Sequence, residues 1–222
     1  SRFLLCDMNV PGNPDEPIYH KLDELRGKAL SCLFGELFTT MTDFRHNLLE
    51  SLANFPVSGA AESALRGEFM ALVAGHADAC QRSRLDGHLT GSAWVVTTDG
   101  RQALLMHHCK LDRWLQPGGH ADGDWDLAGV ALREAREETG LPDLQVERAI
   151  FDLDKHRIPA RGPVPEHWHY DIRFVVRAMG SRQFSGNTES FELRWFDVDD
   201  LARDAGLDIS IRRMAQRWLE RD

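Results

Sequence analysis

The sequence predicts an α/β sandwich with a mixed sheet, carrying a helical N-terminal extension. Segments rich in β-forming residues alternate with segments of helical periodicity, and the joins include both a short hairpin and longer crossovers, which a mixed sheet requires. The 222 residues are 42% hydrophobic and 27% charged, ordinary values for a globular chain long enough to bury a core without metal or disulfide staples.

Residues 7–20 (DMNVPGNPDEPIYH) are expected to be irregular because three prolines and a glycine interrupt them. Leu22, Leu25, Leu30, Leu33 and Leu37 then give a helix an apolar face up to Phe38. Met41 opens a cleaner pattern. On this reading 1–40 is a peripheral extension, 41–87 a helical segment, and 88–222 the main domain.

A helix from Thr42 ends near Asn54, since Phe55 precedes Pro56 and is pushed out of the α region. A second helix, Ser58 to His76, places Leu65, Phe69, Leu72 and Val73 in one stripe. Residues 82–91 read as a polar connection. Residues 92–97 (SAWVVT) form a strand, Asp99-Gly100 signals a two-residue hairpin turn, and 102–108 (QALLMHH) returns as its partner. A loop through Trp114, Gln116 and Pro117-Gly118-Gly119 leads to a helix over 126–139, closed by Gly140 with Pro142 just beyond. Strands are expected at 145–153, 168–178 and 191–198. A terminal helix at 209–220 carries Ile211, Met214, Ala215 and Trp218 on one face.

Thirty-five Asp and Glu outweigh 26 Lys and Arg, for a net charge of −9, and no stretch is basic without acids mixed in; this argues against nucleic acid as a partner. No apolar run reaches the roughly 18–20 residues of a bilayer-spanning helix, so no membrane partner is expected. Cys6, Cys32, Cys80 and Cys109 lie far apart with no CxxC pair, and no secretory signal precedes them; reduced thiols and a cytoplasmic location are expected. An acidic protein can hold a phosphorylated small molecule only where metal ions bridge the repulsion.

The densest chemistry is Gly118 to Leu141, GGHADGDWDLAGVALREAREETGL. On a helix, Glu134, Glu137 and Glu138 share one face, opposite a stripe of Ala128, Ala131, Leu132 and Ala135. Neighbouring carboxylates repel by about 0.2–0.5 kcal/mol per pair, and Arg133 alone does not balance three. Such an oxygen-rich site suits Mg²⁺ or Mn²⁺. A solvated acidic face would carry the same glutamates, but not the glycines at fixed distances on either side.

Those residues resemble the Nudix box, G-x5-E-x7-R-E-U-x-E-E-x-G-U with U apolar. Gly119, Arg133, Glu134, Ala135, Glu137, Glu138, Gly140 and Leu141 stand where that pattern wants them, and the flanking strands extend the likeness to about residues 88–200. The resemblance implies a Nudix-type α/β/α sandwich. It implies metal-dependent hydrolysis of a diphosphate linkage in a nucleoside diphosphate derivative, by water attack at phosphorus. It further implies Glu134, Glu137, Glu138 and the Gly119 carbonyl as ligands of Mg²⁺ or Mn²⁺, with Glu137, Glu138 and Arg133 in catalysis and Arg133 orienting the glutamates.

One position departs, since Trp125 stands where the box has its first glutamate. Either Asp124 or Asp126 supplies the missing carboxylate, or the group is dispensable, or catalysis is impaired and the domain is a nucleotide-binding sensor. A diphosphate isomerase on the same fold would want a reactive cysteine, for which Cys109 is the nearest in sequence.

Outside the box, residues 166–174 (EHWHYDIRF) alternate, placing His167, His169, Asp171 and Arg173 on one side. This is either a half-exposed edge strand or a polar cleft wall with His169 or Arg173 on phosphate or base. Zinc at His167 and His169, with His156 or His120, finds no other support in the spacing. The resemblance also implies an extra carboxylate from a loop in this region, for which Glu189 or Glu192 is the candidate, Glu192 as a catalytic group. His120, beside the glycine pair, belongs at the mouth of the site against substrate. Trp114 is a candidate to stack on a nucleobase, and His107 and His108 are expected to pack at a strand end. The N-terminal helices suit a homodimer interface, a lid or plain support. After Leu141, the run Lys155 to Ile158 with a late Pro159 matches neither the ADP-ribose nor the dinucleoside polyphosphate signatures, so the diphosphate substrate stays open.

Overall fold

Among the described residues seven strands form one mixed sheet with helices on both faces, and that layering puts the glycine-rich segment beside the glutamate helix. The computed structural model describes residues 44–108, 112–184 and 190–221. The expected extension at 1–40, Met41, Cys6, Cys32, Cys109 and Glu189 lie outside the described residues.

In chain order the elements are helix α1 (44–54), α2 (Ala60–Gly75), β1 (Gly87–Thr97), β2 (Gln102–His108), β3 (Arg113–Leu115), β4 (Gly118–His120), α3 (Leu127–Thr139), β5 (Leu144–Ile158), β6 (His167–Ala178), β7 (Ser190–Asp197), α4 (Val198–Arg203) and α5 (Ile209–Leu219). The sheet runs β3-β2-β1-β6-β5, with β4 pairing β1 and β7 pairing β2. Among the described residues only β1 and β6 pair in parallel, from Gly87 opposite Trp168 to Thr97 opposite Ala178.

Successive side chains of β1 alternate between two cores. Leu89, Ala93 and Val95 join α1, α2 and α3 on one face, through Leu52, Phe69, Val73, Val130 and Ala131. Trp94 and Val96 face the other way, into Leu201, Ile211 and Met214 of α4 and α5. Gly91 sits under α3, where a Cβ would stand 2.9 Å from the Leu127 carbonyl; its missing side chain is what lets the helix dock so closely on β1. At the other end of α3, Gly140 adopts left-handed φ 63° and donates its N–H to the Arg136 carbonyl. Asp126 caps the start, its carboxylate accepting from Gly129 N at 3.1 Å, a bond type that contributes about 1 kcal/mol. Among the described residues no helix is long and apolar enough to cross a membrane.

Several boundaries differ from the sequence expectation. β1 begins at Gly87, so the second half of the stretch expected as a polar connection is strand; Thr90 and Ser92 of β1 are buried because Asp171 accepts from both hydroxyls, at 2.9 and 2.7 Å. The β1–β2 turn spans four residues rather than two: Gly100 N donates to Thr97 O at 2.8 Å and the strands stop at Thr97 and Gln102. The loop through Trp114 and Gly118 contains the short strands β3 and β4. β6 is interior, flanked by β1 and β5, not an edge.

Candidate active site

Two short backbone segments, β4 and the last turns of α3, build the first half of the site. β4 pairs antiparallel to β1, Gly119 opposite Gly91 and His120 opposite Thr90. Gly118 N donates to Glu138 Oε2 at 3.0 Å, fastening the buried Glu138 to the glycine strand. Glu134 lies against Gly119 itself: a Cβ at that position would come within 2.6 Å of the Glu134 carboxyl carbon. Only glycine leaves the space for this carboxylate. Glu137, one turn along the same face, is exposed.

Arg133 holds this group together. Its Nη2 donates to Glu134 Oε1 at 3.2 Å and to the His120 carbonyl at 3.3 Å, and its Nη1 lies 3.9 Å from Asp124 Oδ2. Burial raises the Glu134 pKa above the ordinary carboxylate value, Arg133 opposes it, and Glu137 and Asp122 add to the rise. One guanidinium thus leaves the carboxylates undercompensated, as the sequence suggests. The donor set of Glu134, Glu138 and a glycine carbonyl is all oxygen, which fits a hard dication.

A second cation, Arg82, escapes the sequence reading because it sits in an expected connection. It pairs with Asp122, whose backbone is left-handed at φ 51°. Its charge is felt by both Glu134 and His120. Asp122 in turn is held below the ordinary carboxylate value by its hydrogen bonds from Arg82.

Beyond His120 the strand register gathers histidines. His88 pairs opposite His169 across β1 and β6, and His156 pairs opposite His169 across β5 and β6. His167 is two residues from His169 on the same face. Ring centroids lie 4.9 Å apart for His88–His169, 5.1 Å for His88–His167 and for His120–His169, and 5.2 Å for His88–His120. Burial lowers the pKa of His120 to about 4 and, with His120 and His88 as neighbours, that of His169 to about 2. His88 is lowered as well, mainly by burial. All three are neutral at pH 7.

A NUDIX domain model matches residues 88–218, more than half the chain. The chain belongs to the NUDIX family. Over 120 residues this NUDIX chain is 32% identical to a CMP-5'-(N-acetyl-N-hydroxy-3-aminopropyl)phosphonate hydrolase of Streptomyces rubellomurinus, the match taking in 50% of this chain and 53% of that protein. Nucleoside diphosphate-linked moiety X motif 6 of Mus musculus is 29% identical over 132 residues, 54% of this chain and 39% of that protein. The chain therefore spans about half, or less, of the curated relatives it matches. The crystal structure of a C. elegans Ap4A hydrolase binary complex has a TM-score of 0.48 at 15% identity, covering 60% of this chain and 95% of that one.

Within this NUDIX chain the remaining sequence candidates separate. Arg173 is corrected: it is 2% exposed, donates to Asp171 at 2.8 Å and Asp152 at 3.2 Å, and has Asp154 at 3.2 Å. A guanidinium enclosed by three carboxylates cannot reach a substrate phosphate. Trp114 sits on β3 opposite His107, with Phe196 edge-on to its ring and Arg194 over it at 5.0 Å. Glu192 lies on β7 opposite His107, its carboxylate taken by Arg194 at 2.7 Å. β7 is bonded to β2 and not to β4.

Trp125 is a core residue, 6% exposed, with Arg45 of α1 5.4 Å over its ring. Of the two aspartates flanking it, Asp126 is occupied as the α3 cap and by Arg148 at 2.8 Å. Asp124 is the one near Arg133. Cys80 is buried and its thiol is pushed up to about 12, chiefly by burial; it is inert as a nucleophile.

Proposed function

We propose that this chain hydrolyses a pyrophosphate linkage in a nucleoside diphosphate derivative, using Mg²⁺ or Mn²⁺ held by Glu134, Glu137, Glu138 and the Gly119 carbonyl. The observation that carries the reading is the seating of Glu134 against Gly119 with Glu138 bonded to Gly118 N. When bound, such ions polarise a phosphoryl oxygen and lower the pKa of a bound water.

The chain's own residues then have distinct tasks. Arg133 orients Glu134 and the β4 backbone in one gesture, through the carboxylate and the His120 carbonyl. Glu138 is the general base, its carboxylate positioned by the Gly118 N–H. Arg82, whose side chain is 60% exposed, turns a guanidinium to solvent next to Glu134 and meets the departing or retained phosphate. His120 contacts the substrate at the mouth, as a neutral hydrogen-bonding group rather than a charge.

The first relative's name sets the substrate to try first: a cytidine monophosphoryl group joined to a phosphonate, beside nucleoside diphosphate sugars, ADP-ribose and dinucleotides. Product release from that panel is to be measured with excess Mg²⁺ or Mn²⁺ and with chelator, for wild type and Glu138→Gln. Metal-dependent cleavage that falls at least about 100-fold in the variant supports the reading. Cleavage that survives both chelator and Glu138→Gln rejects it.

A further inference from the structure

We propose that His88, His167 and His169 form a binding site for a transition-metal dication, Zn²⁺ foremost, distinct from the oxygen-lined site on α3. One ring nitrogen from each of the three lies within 4.8 Å of the others. Zinc–nitrogen bonds of about 2.0 Å place tetrahedral ligand atoms about 3.3 Å apart, so a modest rotation of the rings closes the set.

Hydrogen bonds to two of the histidines fix which ring nitrogen carries the proton. His88 Nδ1 lies 3.2 Å from the Arg84 carbonyl and His167 Nδ1 lies 2.9 Å from the Pro165 carbonyl. A carbonyl oxygen only accepts, so both Nδ1 atoms carry the proton. The Nε2 lone pairs are then bare, in the arrangement that backbone carbonyls impose on metal-bound imidazoles. His88 Nε2 and His169 Nε2 are buried and find no hydrogen-bond partner among the described residues. A side chain 1% exposed that carries an orphan lone pair toward two other imidazoles needs a cation or a proton there. Burial disfavours the proton.

Donor chemistry separates the two sites. Imidazole nitrogens suit Zn²⁺, whereas carboxylate and carbonyl oxygens suit Mg²⁺ and Mn²⁺. Three protein ligands leave a fourth position open to water or a substrate oxygen. His120, whose ring centroid lies 5.2 Å from that of His88 and 5.1 Å from that of His169, adjoins Gly119 in the chain, which links the histidine cluster to the oxygen-lined site.

The test uses the tag-free full chain, stripped with chelator and titrated with Zn²⁺ in millimolar Mg²⁺, with bound metal counted by elemental analysis. One equivalent of Zn²⁺ that Mg²⁺ does not displace is expected, and Co²⁺ in its place should give the visible absorption of a four-coordinate nitrogen site. His167→Gln and His169→Gln should each weaken Zn²⁺ binding by more than about 100-fold, with unchanged circular dichroism. Glu138→Gln should bind Zn²⁺ as wild type does, which separates this site from the proposed hydrolytic one. No Zn²⁺ bound by the wild type, or equal binding in the histidine variants, overturns the assignment.

Discussion

The carboxylate of Glu134 occupies the space where a side chain at position 119 would begin. A Cβ on residue 119 would stand 2.6 Å from Glu134 Cδ, so Gly119→Ala must displace the glutamate. The alanine itself suits an extended strand, and the fold should lose less than about 1 kcal/mol. Turnover on the cleaved substrate should fall at least about tenfold, because about 1 Å of misplacement is costly at a reacting centre. Unchanged kcat with an unchanged urea midpoint would show that Glu134 need not rest on β4.

Arg173 offers a contrast between clamp and pillar. Its replacement by methionine leaves Asp171, Asp152 and Asp154 facing one another in the interior, with Arg213 still on Asp152 and Asp154. Removing one partner of a buried ion cluster costs about 3–5 kcal/mol. Urea unfolding of Arg173→Met should show a loss of that size. A stable variant with a raised KM would restore the phosphate-contact role that the buried position argues against.

How far the sequence shows this arrangement depends on the range of the cause. The spacing of Glu134, Glu137 and Glu138 and the stop at Gly140 are local, and α3 follows from them within a residue. The alternation at residues 167–173 likewise puts Arg173 on the face it takes. What buries it is Asp152, 21 positions away, and Ser210, 37 positions away, and no window contains those. β4 is three residues long, too short for any periodicity, yet it is half of the site. Arg82 reads as loop because its partner Asp122 is 40 positions downstream.

Trp125 tests whether the departure from the Nudix box is a lost ligand or an exchanged core residue. Burying a carboxylate under Arg45 in place of the indole removes a large apolar contact; Trp125→Glu should cost about 3–5 kcal/mol. No gain in kcat is expected. A variant that folds well and turns over faster would mean that the box glutamate is missing rather than replaced.

The histidine cluster sets the acid limit of the metal-free protein. In the fold His120 and His169 are lowered to about 4 and about 2 by burial, whereas the unfolded chain titrates its histidines near about 6.5. Between those values the unfolded state binds more protons, so stability is complete above pH about 6.5 and falls as acid is added. With chelator present, the melting temperature should drop by about 5 °C or more from pH 7.5 to pH 5, less steeply in His169→Gln. A flat profile would mean that these imidazoles charge in place.

The parallel seam between β1 and β6 also governs when the molecule can come into being. It joins positions 81 apart, as in Thr90 with Asp171, and antiparallel β2 and β4 are laid down first. On a growing chain the glutamates of α3 can meet β4 as soon as both are synthesised, because they are neighbours in sequence. His88 must wait for His167 and His169, with the whole of β5 between. Pairings of such span close late and slowly. Any ion held by those imidazoles would therefore act as a latch on a late step of folding, reporting that the two central strands of the sheet have joined.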